Sequence, residues 1–405
     1  MKPTTRIQLS VLMFLEFFIW GAWYVTMGTY LDKVLHATGA QIGAAYSAMA
    51  IATVISPFFV GMIADRFFSA QKVLGILHLG GAILLFELTS IADPHAFSWV
   101  VLIYSLLYAP TLALANSVAF RQMQDPSKEF PSVRVFGTIG WIVTGWLLDK
   151  VFHISTDQLA FTFKMAAVAS VVLGLLSFFL PPTPPKAKGT KSSFAQILGV
   201  DAFVLFKDTS FTIFFIASVL ICIPLSFYYS LTNLFLTDAG MKNVTSNMTF
   251  GQFSEAFFII LIPFFFRRLG VKWMIVLGMI AWTLRFICFG MGNAGAGEWM
   301  LFAGIILHGV CYDFFFVTGQ IYTDSKAGLK IQSSAQGMIT MATYGIGMVI
   351  GTVLSGYVKD HYTAGGISQW KSIWMVPAGI AAAVLVLFTL FFRDNKKTGL
   401  KTENI

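Results

Sequence analysis

The sequence predicts an all-α membrane protein, with twelve transmembrane helices in two pseudo-symmetric six-helix halves. Three observations lead there. Of 405 residues, 57% are hydrophobic and only 11% charged, with 41 phenylalanines. A soluble domain carries about 25% charged residues, so the excess apolar surface must face lipid. Apolar runs of the roughly 20 residues that a bilayer crossing needs recur along the whole chain. The longest interruption, PPTPPKAKGTKSSFAQ from Pro181 to Gln196, falls near mid-chain.

The apolar runs lie at 7–31, 41–64, 72–92, 97–120, 132–153, 158–180, 210–236, 248–266, 272–292, 299–323, 334–358 and 371–392. The first, Ile7–Leu31, is too long for the apolar region of a cleaved signal and is expected to remain as a span. Assigning loops alternately to two sides separates the basic residues. Lys2, Arg6, Arg66, Lys72, Arg121, Lys186, Arg267, Arg268, Lys326, Arg393 and most others fall on one side. The other side holds only Lys33, Lys150, Lys164, Lys242, Lys359 and Lys371. The richer side is cytoplasmic by the positive-inside rule, which puts both termini inside.

Stacked prolines end the sixth run, and the basic stretch after them reads as a cytoplasmic linker. The expected organisation is an N-terminal six-helix bundle over 1–180, a linker over 181–209, a C-terminal bundle over 210–393 and a cytoplasmic tail over 394–405. Spans five (VFGTIGWIVTGW) and eleven (AQGMITMATYGIGMVIG) are both Gly-rich and each follows a polar cytoplasmic loop. Small residues let helices pack closely or rock, and two similar halves around a midplane site are the plan of a secondary transporter.

The net charge of +8 does not point to nucleic acid, because the basic residues sit mostly in alternate loops. Cys222, Cys288 and Cys311 lie in apolar stretches without metal-ligand spacing and read as small buried hydrophobes. No H-E-x-x-H, G-x-S-x-G or Walker loop is present. An enzyme is therefore not expected, nor a metal or cofactor. The energy source is therefore expected to be an ion gradient, or there is none: one charge crossing the membrane potential yields about 2.3 kcal/mol per 100 mV.

GMIADRFFSAQK, from Gly61 to Lys72, ends the second span. It resembles the G-x-x-x-D-R loop signature of the major facilitator superfamily. Gly61 permits close helix approach, and Asp65, next to Arg66, can accept from helix N-termini or pair with a cation of a neighbouring span. Such a contact would latch the cytoplasmic side; the plain alternative is a charged loop after a helix.

Ionisable residues inside spans are expensive, at least about 2.5 to 3.5 kcal/mol for a central carboxylate, and are read as functional. Glu255 in GQFSEAFFIILIPFFF shares a helix face with Gln252, three residues earlier. An amide beside a carboxylate suits a polar solute, and a partly desolvated carboxylate is a candidate proton carrier. Packing against a neighbouring helix is the rival reading. Asp313, in HGVCYDFFFVTGQ, shares its face with Gly309 and Gln320, while His308 and Tyr312 lie one turn apart on the adjoining face. It is read either as a cavity-wall carboxylate or as a structural partner of Arg285. Arg134, with Thr138 and Trp141 at i+4 and i+7, offers a rigid fork of donors; snorkelling to the interface is its alternative. Glu16, in FLEFFIWGAWY, is either a second protonatable site or the partner of Arg134, and His78 reads as a satisfied core histidine.

Together FIWGAW, FPSVRVFGTIGW, GQFSEAFFIILIPFFF, RRLGVKW, AWTLRF, GVCYDFFFVTGQ and SAQGM resemble the nucleoside:H+ symporter family, a bacterial branch of the major facilitator superfamily. The resemblance runs from the first span to the last. It implies the major facilitator fold and proton-coupled uptake of nucleosides across the inner membrane by alternating access. Carried over by position, it implies that Arg134, Thr138 and Trp141 face the site. Gln252 and Glu255 would bind sugar or base, and Tyr312 and Asp313 would complete the pocket. Span seven departs from the family: PLSFYYSLTN offers Ser226 and Tyr229 where amide side chains are common. Glu16 likewise stands where an amide is common. A monomer is expected, with lipid, protons and a small polar solute as its partners. The alternatives are a symporter of the same fold for a sugar or sugar conjugate, and a receptor or scaffold that binds without translocating.

Overall fold

The computed structural model describes residues 1–66, 68–184 and 200–393. The expected tail over 394–405 and the linker's middle, 185–199, lie outside the described residues. What is described is helical apart from turns and one small hairpin, β1 (Thr363–Ala364) with β2 (Ile367–Ser368).

In chain order the helices begin with α1 (Pro3–Tyr24), α2 (Met27–Lys33), α3 (Gly39–Arg66), α4 (Ala70–Leu88) and α5 (Pro94–Arg121). Next come α6 (Pro126–Trp146), extended by a π turn over Leu147–Val151, and α7 (Ala160–Ser177). A 3-10 segment, Val200–Lys207, leads into α8 (Thr209–Asp238), α9 (Val244–Met248) and the long run α10 (Phe250–Met291). The last are α11 (Glu298–Tyr312), α12 (Thr318–Thr340), α13 (Met348–His361) and α14 (Trp370–Phe391). Two further π turns, Asp313–Val317 and Met341–Gly347, join α11 to α12 and α12 to α13.

Among the described residues, nine helical segments are long and apolar enough to cross a membrane. The spans expected at 248–266 and 272–292 fall within the single run α10. It is broken at Gly270, whose φ of 68° and ψ of 177° are open to glycine without strain. Gly328, with φ 63° and ψ 174°, breaks α12 in the same way. Helix α6 is not among the nine, and it carries Lys128, Glu129 and Arg134 near its start.

The chain forms two compact units. The first comprises Met1–Lys191 with Tyr228–Thr249 and Thr352–Asp360; the second comprises Ser192–Phe227, Phe250–Gly351 and His361–Ile405. Helices α8 and α13 therefore each divide their length between the two.

In the first unit α1 packs on α6 and α7, α3 on α5, and α4 on α5 and α7. Its centre is aromatic: Trp23 meets Tyr104 edge-on at 5.4 Å, and Phe163 meets Phe97 at 5.6 Å and Tyr30 at 5.2 Å. In the second unit α10 packs on α11 and α14, and Phe286 stacks between Trp282 and Trp374 at 5.7 Å on each side. Lipid is as apolar as leucine, so helices associate in a bilayer through such close packing and interhelical hydrogen bonds. Each aromatic pair adds about 0.5 to 1.5 kcal/mol beyond its area. Large apolar side chains also remain on the outside, among them Ile83, Phe179, Ile260 and Leu390 at 71, 75, 75 and 68% exposure. That surface belongs against hydrocarbon.

Candidate functional site

The second unit holds the polar face of α10. Phe257 and Ile260 are exposed, whereas Ser254 is buried and Gln252 and Glu255 are half-buried. The Ser254 hydroxyl donates to the Ile306 carbonyl at 2.6 Å. Opposite it lies Gly309, where a Cβ would stand 2.6 Å from the Glu255 nitrogen. Only glycine lets α11 come so near, and this approach sets His308 beside Glu255.

His308 Nε2 lies 3.6 Å from Glu255 Oε2; the histidine side chain is 3% exposed and the glutamate side chain 31%. On the other edge of the imidazole, Arg285 Nη1 donates to Nδ1 at 3.0 Å. A guanidinium has no acceptor, so Nδ1 must accept and the ring proton sits on Nε2, facing Glu255. Arg285 is fully buried. It thus orients the histidine, and the pairing with Asp313 that the sequence left open is not the one it makes through Nη1.

Asp313 opens the π turn that follows α11. It is fully buried, and neither carboxyl oxygen has a hydrogen-bond partner among the described residues. Tyr312 before it stacks obliquely near His308, at 5.6 Å between ring centroids, and its hydroxyl is hydrogen-bonded to that of Tyr344. Ser226 is also in this unit. It is fully buried and donates to the carbonyls of Cys222, at 2.9 Å, and Met348, at 3.2 Å. Its hydroxyl serves the contact between α8 and α13.

The first unit holds the other expected residues. The Arg134 guanidinium lies over the Phe17 ring at 4.0 Å, with Thr138 half-buried one turn on. Trp141 meets Trp20 edge-on at 5.5 Å, Trp20 meets Tyr24 at 5.7 Å, and Tyr24 meets Tyr229 at 5.6 Å. Trp141 and Tyr229, distant in sequence, are thereby joined through two aromatics of α1. Glu16 is fully buried with His78: Oε2 is 2.9 Å from His78 Nε2, and Oε1 accepts from Thr111 at 2.5 Å. The partner the structure gives Glu16 is His78, because α1 turns that face to α4 and α5 while Phe17 faces Arg134. His78 Nδ1 in turn lies 3.2 Å from the Ser170 hydroxyl. Gly61, Asp65 and Arg66, expected in a loop, fall in the last turns of α3, and the side chains of Asp65 and Arg66 lie outside the described residues.

Three features escaped the sequence: the Glu255–His308 contact, the aromatic bridge through Trp20 and Tyr24, and Tyr344. The first was signalled only by two polar residues in separate apolar runs, the eighth and the tenth. Tyr344 carried no signal, being one aromatic among many. Among the described residues no three His, Cys, Asp or Glu side chains gather as metal ligands.

Long apolar helices, with charged and hydroxyl groups turned into each unit and aliphatic side chains outward, define a multi-pass membrane protein. The nucleoside H+ symporter family matches residues 3–397, and the chain belongs to it. YegT of Escherichia coli K12 is 41% identical over 418 residues, covering 100% of this chain and 97% of YegT. Xanthosine permease of the same organism is 36% identical over 403 residues, covering 96% of each. The crystal structure of the nucleoside transporter NupG superposes with a TM-score of 0.88 at 34% identity, covering 96% of this chain and 99% of that one. The fold and the relatives are those of transporters, not enzymes.

Proposed function

We propose that this protein takes up nucleosides with protons across the bacterial inner membrane by alternating access. In this reading twelve helices form two pseudo-symmetric halves, with Gly270 and Gly328 dividing the merged runs and both termini cytoplasmic. The protein works as a monomer on a proton gradient, without a bound cofactor. Family membership and the xanthosine and nucleoside permeases among its relatives support the solute class.

The observation that carries the proposal is the Glu255 environment. A half-buried carboxylate sits 3.6 Å from the protonated edge of a buried histidine, with a second carboxyl, unpartnered among the described residues, at Asp313 in the π turn after the histidine's helix. Buried carboxyls without donors are rare in native proteins, and here they suit groups that a proton and a solute visit in turn. Glu255 is the proton-linked solute ligand and Asp313 the second proton-linked carboxyl. Gln252 and Tyr312 bind beside them, and Arg134, Thr138, Trp141 and Tyr229 supply polar and stacking contacts. Glu16 is assigned to holding the first unit together, since both its oxygens are engaged, and Ser226 to packing. Gly61, Asp65 and Arg66, in the last turns of α3, are assigned to the cytoplasmic gate.

The test is uptake of radiolabelled uridine, adenosine and xanthosine into proteoliposomes with an imposed pH gradient. Accumulation that collapses with a protonophore supports the proposal. Absence of both accumulation and counterflow for all three overturns it.

A further inference from the structure

We propose that Tyr344 is a positioning residue for solute binding: through its hydroxyl it fixes the direction of Tyr312. The proposal rests on the reading of Tyr312 as a solute-contacting residue.

Both tyrosines sit at irregularities of the helix ladder. Tyr312 immediately precedes the π turn Asp313–Val317, and Tyr344 is the middle residue of the π turn Met341–Gly347. A π turn inserts a residue and re-aims the side chains around it, and such turns concentrate at functional sites. Here two of them, on different helices, aim one phenol each at the other, and the hydroxyls are hydrogen-bonded. Phe316 holds the rings from one side, 5.0 Å from Tyr312 and stacked at 5.9 Å and 27° on Tyr344. His308 flanks Tyr312 on the other side, at 5.6 Å, and itself reaches Glu255. Contacts therefore run continuously from Glu255 through His308 and Tyr312 to Tyr344.

The chemistry follows from how two hydroxyls pair. One donates and the other accepts, so the donating O–H is directed at its neighbour and the acceptor's proton is turned away from it. Hydrogen bonds arranged in sequence also polarise one another. Without the Tyr344 hydroxyl, Tyr312 loses a contact that sets its direction before solute arrives, which weakens binding. Translocation, once solute is bound, would be little changed. The stack on Phe316 needs only the ring, so removing the oxygen leaves the packing in place.

The experiment is saturation uptake by wild type, Tyr344→Phe, Tyr312→Phe and the double variant. It uses whichever of uridine, adenosine and xanthosine the wild type accumulates best, with thermal stability measured on the same preparations. Tyr344→Phe is expected to raise KM about three- to tenfold, the range of one hydrogen bond, with Vmax and Tm near wild type. The double variant is expected to fall well short of the product of the single effects, as for residues acting through one contact. An unchanged KM in Tyr344→Phe beside a raised KM in Tyr312→Phe overturns the inference alone, as do multiplicative single effects. A lowered Tm without a KM change also overturns it, since that is a purely structural role. An unchanged KM in Tyr312→Phe overturns the reading of Tyr312 and the inference with it.

Discussion

Glu16 and His78 meet at 2.9 Å between side chains with 0 and 1% exposure, the most enclosed ionisable contact of the first unit among the described residues. Thr111 and Ser170 complete it from α5 and α7, so one cluster ties four helices together. Glu16→Leu would take the carboxylate away from His78 and Thr111 and leave them only Ser170 and the Tyr108 carbonyl. Breaking a buried pair from one side costs about 3 to 5 kcal/mol. Glu16→Gln keeps an acceptor for Thr111 and should lose much less. Thermal unfolding in detergent is expected to rank wild type above Glu16→Gln and both well above Glu16→Leu. If the pair is structural, Glu16→Gln also keeps pH-driven uptake; loss of proton coupling with an unchanged Tm would reassign it.

Glu255→Gln should behave in the opposite way. The amide preserves size and a hydrogen-bonding face towards His308, so folding and solute exchange survive. The exchangeable proton is gone, so a pH gradient no longer drives accumulation. One charge moved through 100 mV supplies about 2.3 kcal/mol, which is about fiftyfold in concentration at about 1.4 kcal/mol per tenfold. The expected result in proteoliposomes is an accumulation ratio near one with counterflow retained. Wild-type accumulation in this variant would remove Glu255 from its role.

These two carboxylates mark where sequence stops being readable. That Glu16, His78, Glu255, Arg285, His308 and Asp313 lie within or beside apolar runs is plain from the residues, because hydropathy is a local property. Their partners are not, because pairing depends on which helix faces are brought together. Glu16 was open to pairing with Arg134, but α1 presents Phe17 to Arg134 and Glu16 to His78. Asp313 was open to pairing with Arg285, whose Nη1 instead meets His308. The close approach at Gly309 that creates the Glu255–His308 contact is a property of two helices at once. Helix breaks were more legible: Gly270, in RRLGVKW, falls between two expected spans and does interrupt the ladder.

Ends of α2, α8 and α13 carry a charge network inside the first unit. Lys359 Nζ is 2.7 Å from Asp32 Oδ1 with 6% of its side chain exposed, and Lys33 joins Asp32 at 3.2 Å and Asp238 at 2.7 Å. The two halves of this network should differ in weight. Asp32→Asn removes a carboxylate held against a nearly buried ammonium, at a cost of about 3 kcal/mol. Asp238→Asn removes a contact to a lysine that is 35% exposed, and such pairs contribute about 0 to 1 kcal/mol. Unfolding curves should separate the two variants clearly, and exchanging the charges in Asp32→Lys with Lys359→Asp should recover part of the loss. Equal stabilities for Asp32→Asn and Asp238→Asn would refute this assignment.

Asp208, just ahead of α8, gives a pH dependence with a definite sign. Its Oδ1 accepts from the amides of Ser210, at 2.8 Å, and Phe211, at 3.3 Å, and Oδ2 meets Lys326 Nζ at 2.5 Å. Partial burial opposes the charge, but the hydrogen bond from Lys326 and those from the two amides outweigh it and hold the carboxyl below its ordinary range. A depressed native pKa means that the unfolded chain binds the proton first. The stabilisation is therefore complete above the unfolded value of about 3.9 and is lost as pH falls through the lower native value. Asp208→Asn retains an amide-capping oxygen and loses only the charge. Its Tm should lie below wild type at pH 7, and the gap should close as the pH is brought below 4. A gap that stays constant across that range would mean the charge at Asp208 contributes nothing.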